Sequence, residues 1–176
     1  MPRFFKILKV ITCLLAIVIL VIIVCDMIFN KSTSTTEYPN LEQFSIDAVN
    51  ENQIVEIASY ARSKGRFQRK GANTGMGGKY DSYDATESLY ISESITGILT
   101  VSATKIIEGN LTLDIVSTLN SGEMTIVIVK NDNILEFINT NENVIKTYSV
   151  TEESEFYVKI LCETANMEIK VTRSFD

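Results

Sequence analysis

Hydrophobic and polar residues alternate in short runs throughout the second half of the chain. From Thr86 onward, these runs are separated every ~10 to 13 residues by turn-forming Asn, Asp, Gly and Ser, and no helical periodicity intervenes. Such spacing is typical of antiparallel strands in a sandwich or barrel. The sequence therefore predicts a mainly β fold, a jelly-roll-like antiparallel β-sandwich of about eight strands over residues 86–176. The predicted strands are residues 87–93, 97–104, 110–118, 123–130, 133–139, 143–150, 155–163 and 167–174.

Period-two alternation assigns the side chains of these strands to faces. One face of the last two strands is predicted to hold Phe156, Val158, Ile160, Cys162, Met167, Ile169 and Val171, and the other Tyr157, Lys159, Glu163, Glu168, Lys170 and Thr172. We therefore expect Cys162 to point into the core and to act as a small apolar residue rather than as a reactive thiol. The run 124–129 is apolar on both faces, which favours a central strand that is covered on both sides.

Residues 41–85 are expected to hold one short helix and a loop. Asn50 and Gln53 have the spacing of a capping box, in which each side chain bonds the backbone of the other residue. Apolar residues then recur at i, i+3, i+4 and i+7, at Ile54, Ile57, Ala58 and Ala61. This pattern predicts a helix over 50–64 that packs on the sheet.

The segment 62–80 has a composition unlike the rest of the chain, with six Lys and Arg residues and five of the eight glycines. We interpret it as a basic, glycine-rich loop that could engage an anionic partner, with aromatic residues adding stacking contacts. The alternative is a solvated loop whose charges offset an acidic domain. The candidate ligand surface comprises Lys64, Arg66, Phe67, Arg69, Lys70, Lys79, Tyr80 and Tyr83.

An apolar run from Val10 to Phe29 is long enough to span a bilayer as a helix, because 20 residues at ~1.5 Å rise cover ~30 Å. Basic residues at 3, 6 and 9 precede it, so the N-terminal residues 1–9 are expected to be cytoplasmic and the rest extracellular. Residues 30–40 have little to bury and are predicted to form a flexible tether. Alternatives are a cleaved signal peptide and lipid attachment at Cys25, although large aliphatic residues precede that cysteine.

Charge and cysteine content narrow the function classes. The chain carries 16 Lys and Arg against 22 Asp and Glu, a net charge of −6. An acidic exterior disfavours nucleic acid as a partner. Cys162 is the one cysteine after the apolar run, so the predicted extracellular part forms no internal disulfide.

The sequence contains few candidate catalytic residues and few candidate metal ligands. The chain has no His, which removes Ser-His and Cys-His nucleophilic systems and His-ligated metal sites. Carboxylate-based hydrolysis remains open, but no spacing singles out a pair of acids. We expect no cofactor and no catalytic residue. Oxygen ligands for calcium could come from Asp81 and Asp84, or from Asp132 with its neighbouring Asn residues. The alternative role of these residues is turn formation.

The segment from Glu155 to Val171, two alternating runs around a short Ala-containing turn, resembles the closing hairpin of small, uncharacterised, membrane-anchored or exported β-sandwich proteins of Gram-positive bacteria. The resemblance implies a fold and an extracellular address. Together with the apolar run it suggests a single-pass membrane protein whose non-catalytic sandwich binds an envelope polymer or another membrane protein. The alternatives are a carboxylate-based envelope hydrolase and a structural accessory subunit of a membrane complex.

Overall fold

Seven antiparallel strands and one short α-helix contain most of the residues that the structure describes. The computed structural model describes residues 36–71 and 85–176, which fall within one compact unit. After a 3-10 turn at Ile46–Ala48, the elements are α1 (Glu51–Glu56), β1 (Ser59–Lys64), β2 (Phe67–Gly71), β3 (Ala85–Ile106), β4 (Gly109–Lys130), β5 (Asn133–Ile138), β6 (Asn143–Val150) and β7 (Ser154–Phe175).

The sheet is organised on three strands of 22 residues each, β3, β4 and β7. Strand β7 lies between the other two, and the strand order is β1-β3-β7-β4-β5, with β2 also paired to β3 and β6 also paired to β4. A straight strand of this length would extend ~70 Å, whereas most strands in globular proteins have ~3–10 residues. The long strands must therefore bend for the domain to form one core.

The bends occur at the same level in all three long strands. The pairing of β3 with β7 shifts register between Ile91 and Gly97, and the pairing of β4 with β7 shifts between Leu119 and Glu123. Gly97 has φ +136° and lies against the β1 backbone, where a side chain would collide with the carbonyl oxygen of Tyr60. Such bulges add residues to one strand and turn its direction.

Each long strand thus contributes to two halves of the sheet, which face each other. We call the first the bare half: β2, 85–92 of β3, 165–175 of β7, 109–119 of β4, and β6. The second, the covered half, consists of β1, 95–106 of β3, 154–163 of β7, 123–130 of β4, and β5. Inward side chains from both halves form one hydrophobic cluster, including Leu89, Ile115, Ile126, Phe156, Ile160 and Ile169.

The outer face of the covered half carries a second hydrophobic cluster under α1. Ile54 and Ile57 pack there with Phe44 on Val127, Val129 and Leu161 of the sheet. The capping box predicted at Asn50 and Gln53 is present, and each of the two bonds measures 3.0 Å. The prediction that residues 124–129 form a strand covered on both faces is confirmed, because Ile126 and Ile128 face the central core while Val127 and Val129 face the helix.

Three expectations about the elements are corrected by the structure. The helix ends at Glu56 rather than at residue 64, because residues 59–64 pair with β3 as an edge strand. The segment 62–80 is not a loop throughout, since Phe67–Gly71 forms β2. The eight strands predicted over residues 86–176 are five in the structure, because the predicted breaks at 94–96, 120–122 and 164–166 are bends within continuous strands. Strands β1 and β2, which the sequence did not predict, bring the described residues to seven strands.

Face assignments from the sequence hold along β7. The predicted inward residues Phe156, Val158, Ile160 and Cys162 are all at most 2% exposed.

Within the described ranges, no helix combines the length and apolar character needed to cross a membrane. The predicted span at 10–29 and most of the predicted tether lie outside those ranges. At the end of the tether, Tyr38 packs on Tyr60 of β1 with 4.8 Å between ring centroids.

Candidate ligand surface

The basic segment forms one edge of the folded sheet. Strands β1 and β2 both pair with β3, β1 in the covered half and β2 in the bare half, and every residue from Ala61 to Arg69 is exposed. The register places Arg62 and Lys64 beside Thr96 and Ser94, on the outer face of the covered half. Four cationic side chains, at positions 62, 64, 66 and 69, thus lie along this edge, which we call the basic edge.

Two residues of the basic edge turn toward the space between the halves. Phe67 and Arg69 pair with the inward residues Ile91 and Leu89, so they share the inner face of the bare half. Phe67 remains 43% exposed, and the Arg69 guanidinium donates a hydrogen bond to the carbonyl oxygen of Thr100 in the covered half. Arg69 therefore ties the two halves together as well as contributing charge.

The structure brings together only part of the surface predicted from the sequence. Lys64, Arg66, Phe67 and Arg69 lie on the basic edge, and Lys70 belongs to β2. Lys79, Tyr80 and Tyr83 lie outside the described residues, as do the calcium candidates Asp81 and Asp84.

No protein-family model matches this sequence, and no curated protein and no solved structure matches it significantly.

Lys159 is a buried cation that the sequence did not single out. It lies on the outer face of β7 beneath α1 and is 2% exposed. Its Nζ donates to the carbonyl oxygens of Ile54, Val55 and Ile57 at 2.8, 2.5 and 3.0 Å. These carbonyls belong to the last turn of α1, where helices leave acceptors unsatisfied. Burial lowers the pKa of Lys159 to about 8, and the negative charge of Asp132 opposes that shift only in part.

A buried ion pair joins the two halves behind the basic edge. Arg173 and Glu87 both face inward from the bare half, each 5% exposed, with 3.2 Å between Nη1 and Oε2. The same guanidinium nitrogen donates to Ser102 Oγ and to the carbonyl oxygen of Ala103 in the covered half. Buried charges need such compensation, so the pair fixes how the halves meet.

A third polar cluster closes the opposite edge, between β5 and β6. Glu136 of the covered half accepts hydrogen bonds from Lys146 Nζ and Tyr148 Oη of the bare half, each at 2.5 Å. The Tyr148 ring also packs on Phe156, with centroids 5.3 Å apart. Burial raises the pKa of Glu136, but the bonds from Lys146 and Tyr148 outweigh it and the pKa is lowered. Burial and the bond to Glu136 raise the pKa of Tyr148.

This cluster predicts an acid-sensitive contribution to stability. Because the folded pKa of Glu136 lies below its unfolded value, the stabilisation is present above about pH 4.5 and is lost as pH falls through the folded pKa. The Glu136→Gln variant should be about 1 kcal/mol less stable than wild type at pH 7, with the difference shrinking at pH 3. Urea unfolding at both pH values measures this. Glu142→Gln, at an exposed position nearby, serves as the control, and an equal pH response in both variants would contradict the assignment.

Cys162 is fully buried, its Sγ donates to the carbonyl oxygen of Gly97 at 3.4 Å, and burial raises its pKa to about 12. The predicted core role is therefore confirmed.

Asp132 lies in the hairpin between β4 and β5, where Asn131 and Asp132 have φ of 44° and 61°, as a type I′ turn requires. In residues 36–71 and 85–176, no group of three or more acidic, Cys or His side chains could hold a metal ion.

Proposed function

We propose that this protein is a single-pass membrane protein that displays a non-catalytic β-sandwich at the cell envelope and binds a polyanionic envelope polymer through its basic edge. The observation that carries the proposal is the concentration of exposed cations on β1 and β2 in a chain whose net charge is −6. Positive charge gathered on one edge of an acidic protein creates a local attractive field for polyanions. The membrane anchor is the helix predicted at 10–29.

Geometry favours a polymer over a small ligand. The cations at 62 and 64 lie on two successive outward positions of β1, and Arg66 follows in the connection to β2. Alternate residues of a strand are ~6.6 Å apart, so the charges form a row rather than a converging pocket. A repeating phosphate backbone can contact several charges of such a row at once. The exposed ring of Phe67 adds an apolar contact beside them.

The hydrolase alternative receives less support. A glycosidase needs a general acid whose pKa is raised, beside a second carboxylate. Glu136, the acid at the opposite edge, has a lowered pKa and accepts bonds from two side chains. Glu87 is held by Arg173 inside the sheet.

Binding of residues 30–176 to a poly(glycerol phosphate) polymer tests the proposal by calorimetry and thermal shift. Substituting Arg62 and Lys64 with Ser should weaken binding about tenfold and flatten its dependence on salt, because fewer counterions are exchanged. The matched control replaces Lys105 and Lys130, at the far ends of β3 and β4, with Ser and removes the same charge. A saturating polymer should raise the stability by about 2.7 kcal/mol at 100 times its Kd.

Three outcomes would count against this assignment. Equal losses in the two double variants would show nonspecific charge attraction. Equally tight binding of duplex DNA would remove the specificity for an envelope polymer. A folded domain that binds no polyanion, yet crosslinks to a membrane protein in intact cells, would favour the accessory-subunit alternative.

A further inference from the structure

Among the described residues, the folded sheet has four edge strands, and three of them carry features that discourage pairing with another strand. Strand β1 carries Arg62 and Lys64, and β2 carries Arg69 and Lys70. Strand β5 has six residues and a register shift in its pairing with β4, between Ile128 and Val129. Charges, short length and bulges are the devices by which proteins protect exposed edges.

Strand β6 lacks these protections apart from one inward-pointing charge, that of Lys146. It pairs with β4 over eight residues, Asn143 to Val150, without any register shift, and it contains neither Pro nor Gly. Its outward side chains are Asn143, Ile145, Thr147 and Ser149, none of them charged, and Ile145 is 66% exposed. In the part of the chain that the structure describes, no strand pairs with its second side, so alternate N–H and C=O groups of β6 point outward.

The single charge of β6 is already compensated inside its own chain. Lys146 points to the inner face and forms its ion pair with Glu136 at 2.5 Å. The strand therefore offers backbone hydrogen bonds and neutral side chains, but no charge that would select an acidic or basic partner. A strand with these properties pairs best with one that is equally regular and neutral.

We propose that β6 pairs antiparallel with β6 of a second copy of this chain. A two-fold axis perpendicular to the sheet would bring outward residues beside outward residues, so uncharged side chains meet and the net charge of −6 is not concentrated at the contact. Thr112 and Thr147 already share a hydrogen bond across β4 and β6, and Asn110 and Ser149 share another, so polar pairs continue to the edge. The contact closes on itself and does not propagate into fibres.

The strand order gives this dimer a particular shape. The bare half runs β2-β3-β7-β4-β6, so joining two copies at β6 makes one ten-stranded sheet with β2 at both ends. The two basic edges would then lie at opposite ends of the dimer. A polymer long enough to reach both would bind with increased avidity, whereas dimerisation itself does not depend on the polymer.

Crosslinking of the full-length chain in membranes tests the pairing. In a background with Cys13→Ser and Cys25→Ser, Thr147→Cys should give a dimer with a bis-maleimide reagent. Thr118→Cys, exposed on the same outer face but on β4, should not. Adding Ile145→Lys should reduce the Thr147→Cys dimer at least about tenfold, since it places two like charges at the contact. Ile107→Lys, an equally exposed isoleucine in the turn after β3, should leave it unchanged.

The mass of the detergent-solubilised full-length chain, from light scattering, provides a readout independent of crosslinking. A dimer in wild type and in Ile107→Lys, and a monomer in Ile145→Lys with an unchanged melting temperature, would support the proposal. A monomer in wild type would overturn it, as would equal crosslinking at 118 and 147. Capture of a different protein at position 147 without any homodimer would show that another chain supplies the strand, and would also overturn it.

Discussion

Replacing Lys159 with Met is expected to lower the free energy of unfolding by about 3 kcal/mol. Three carbonyl oxygens, those of Ile54, Val55 and Ile57, lose their donor, and the sheet and α1 keep two of these sites out of water. Met fills a similar volume, so the loss reflects hydrogen bonding rather than a cavity. Urea unfolding of wild type and variant at pH 7 measures the difference.

The control is Lys170→Met, which removes an exposed lysine from the same strand and should change stability by less than about 0.5 kcal/mol. Hydrogen exchange locates the effect: the amides of α1 should exchange much faster in Lys159→Met, while those of β4 follow global stability. An unchanged α1 would show that Lys159 does not hold the helix.

The lowered pKa of Lys159 adds a pH dependence with a defined sign. Between the folded pKa of about 8 and the ordinary lysine pKa of 10.5, the unfolded chain binds more protons at this residue than the folded chain. Its contribution to stability therefore rises as pH increases through that window. The difference in unfolding free energy between wild type and Lys159→Met should grow from pH 7 to pH 10. A constant difference would contradict the shift.

Gly97→Ala is expected to destabilise the protein by at least about 3 kcal/mol, a large fraction of the roughly 5–15 kcal/mol by which native proteins are stable. A Cβ at this position would lie 2.1 Å from the carbonyl oxygen of Tyr60 and 2.7 Å from Ala61 Cα, and neither backbone atom can move without breaking the pairing of β1. The backbone φ of +136° is also strained for alanine. Thermal or urea unfolding measures the loss.

Gly65→Ala provides the matched comparison. Its φ is +80°, but the atoms that a Cβ would meet belong to the side chain of Glu93. The expected loss is about 1 kcal/mol, because a side chain can turn aside while a paired backbone cannot. If the two variants lose equal stability, φ alone accounts for the effect and the close approach of β1 to the bend does not matter.

Much of the fold could be predicted from residues alone. Alternation along 155–174 identified the inward side chains of β7, since the period of a strand is two wherever one face is buried. The capping box fixed the start of α1. Its end was missed because Ile57, Ala58 and Ala61 continue a helical spacing, whereas pairing with β3 draws Ser59–Lys64 into the sheet.

The sequence predicted which residues make up the candidate surface, but it did not predict their arrangement in the fold. Clustered charges are visible in a sequence, so the basic segment was found. Its arrangement as two edge strands in two halves of a sheet depends on β3, which lies many residues away. The same applies to Lys159, whose alternation predicted only that it faces away from the core. The helix that buries it lies more than 100 residues earlier in the chain.

The sequence by itself determined the mainly antiparallel β character, the inward faces of the strands and the position of the basic segment, because these depend on local periodicity and composition. Only the tertiary structure decided that the gap at 94–96 between two predicted strands, and the predicted turns at 120–122 and 164–166, are bends within three continuous strands. A local sequence such as Asn120-Ser121-Gly122 permits either a turn or a bulge. The partner strand decides between them, since the register of β7 is shared with both neighbours and all three must bend at one level to enclose a single core.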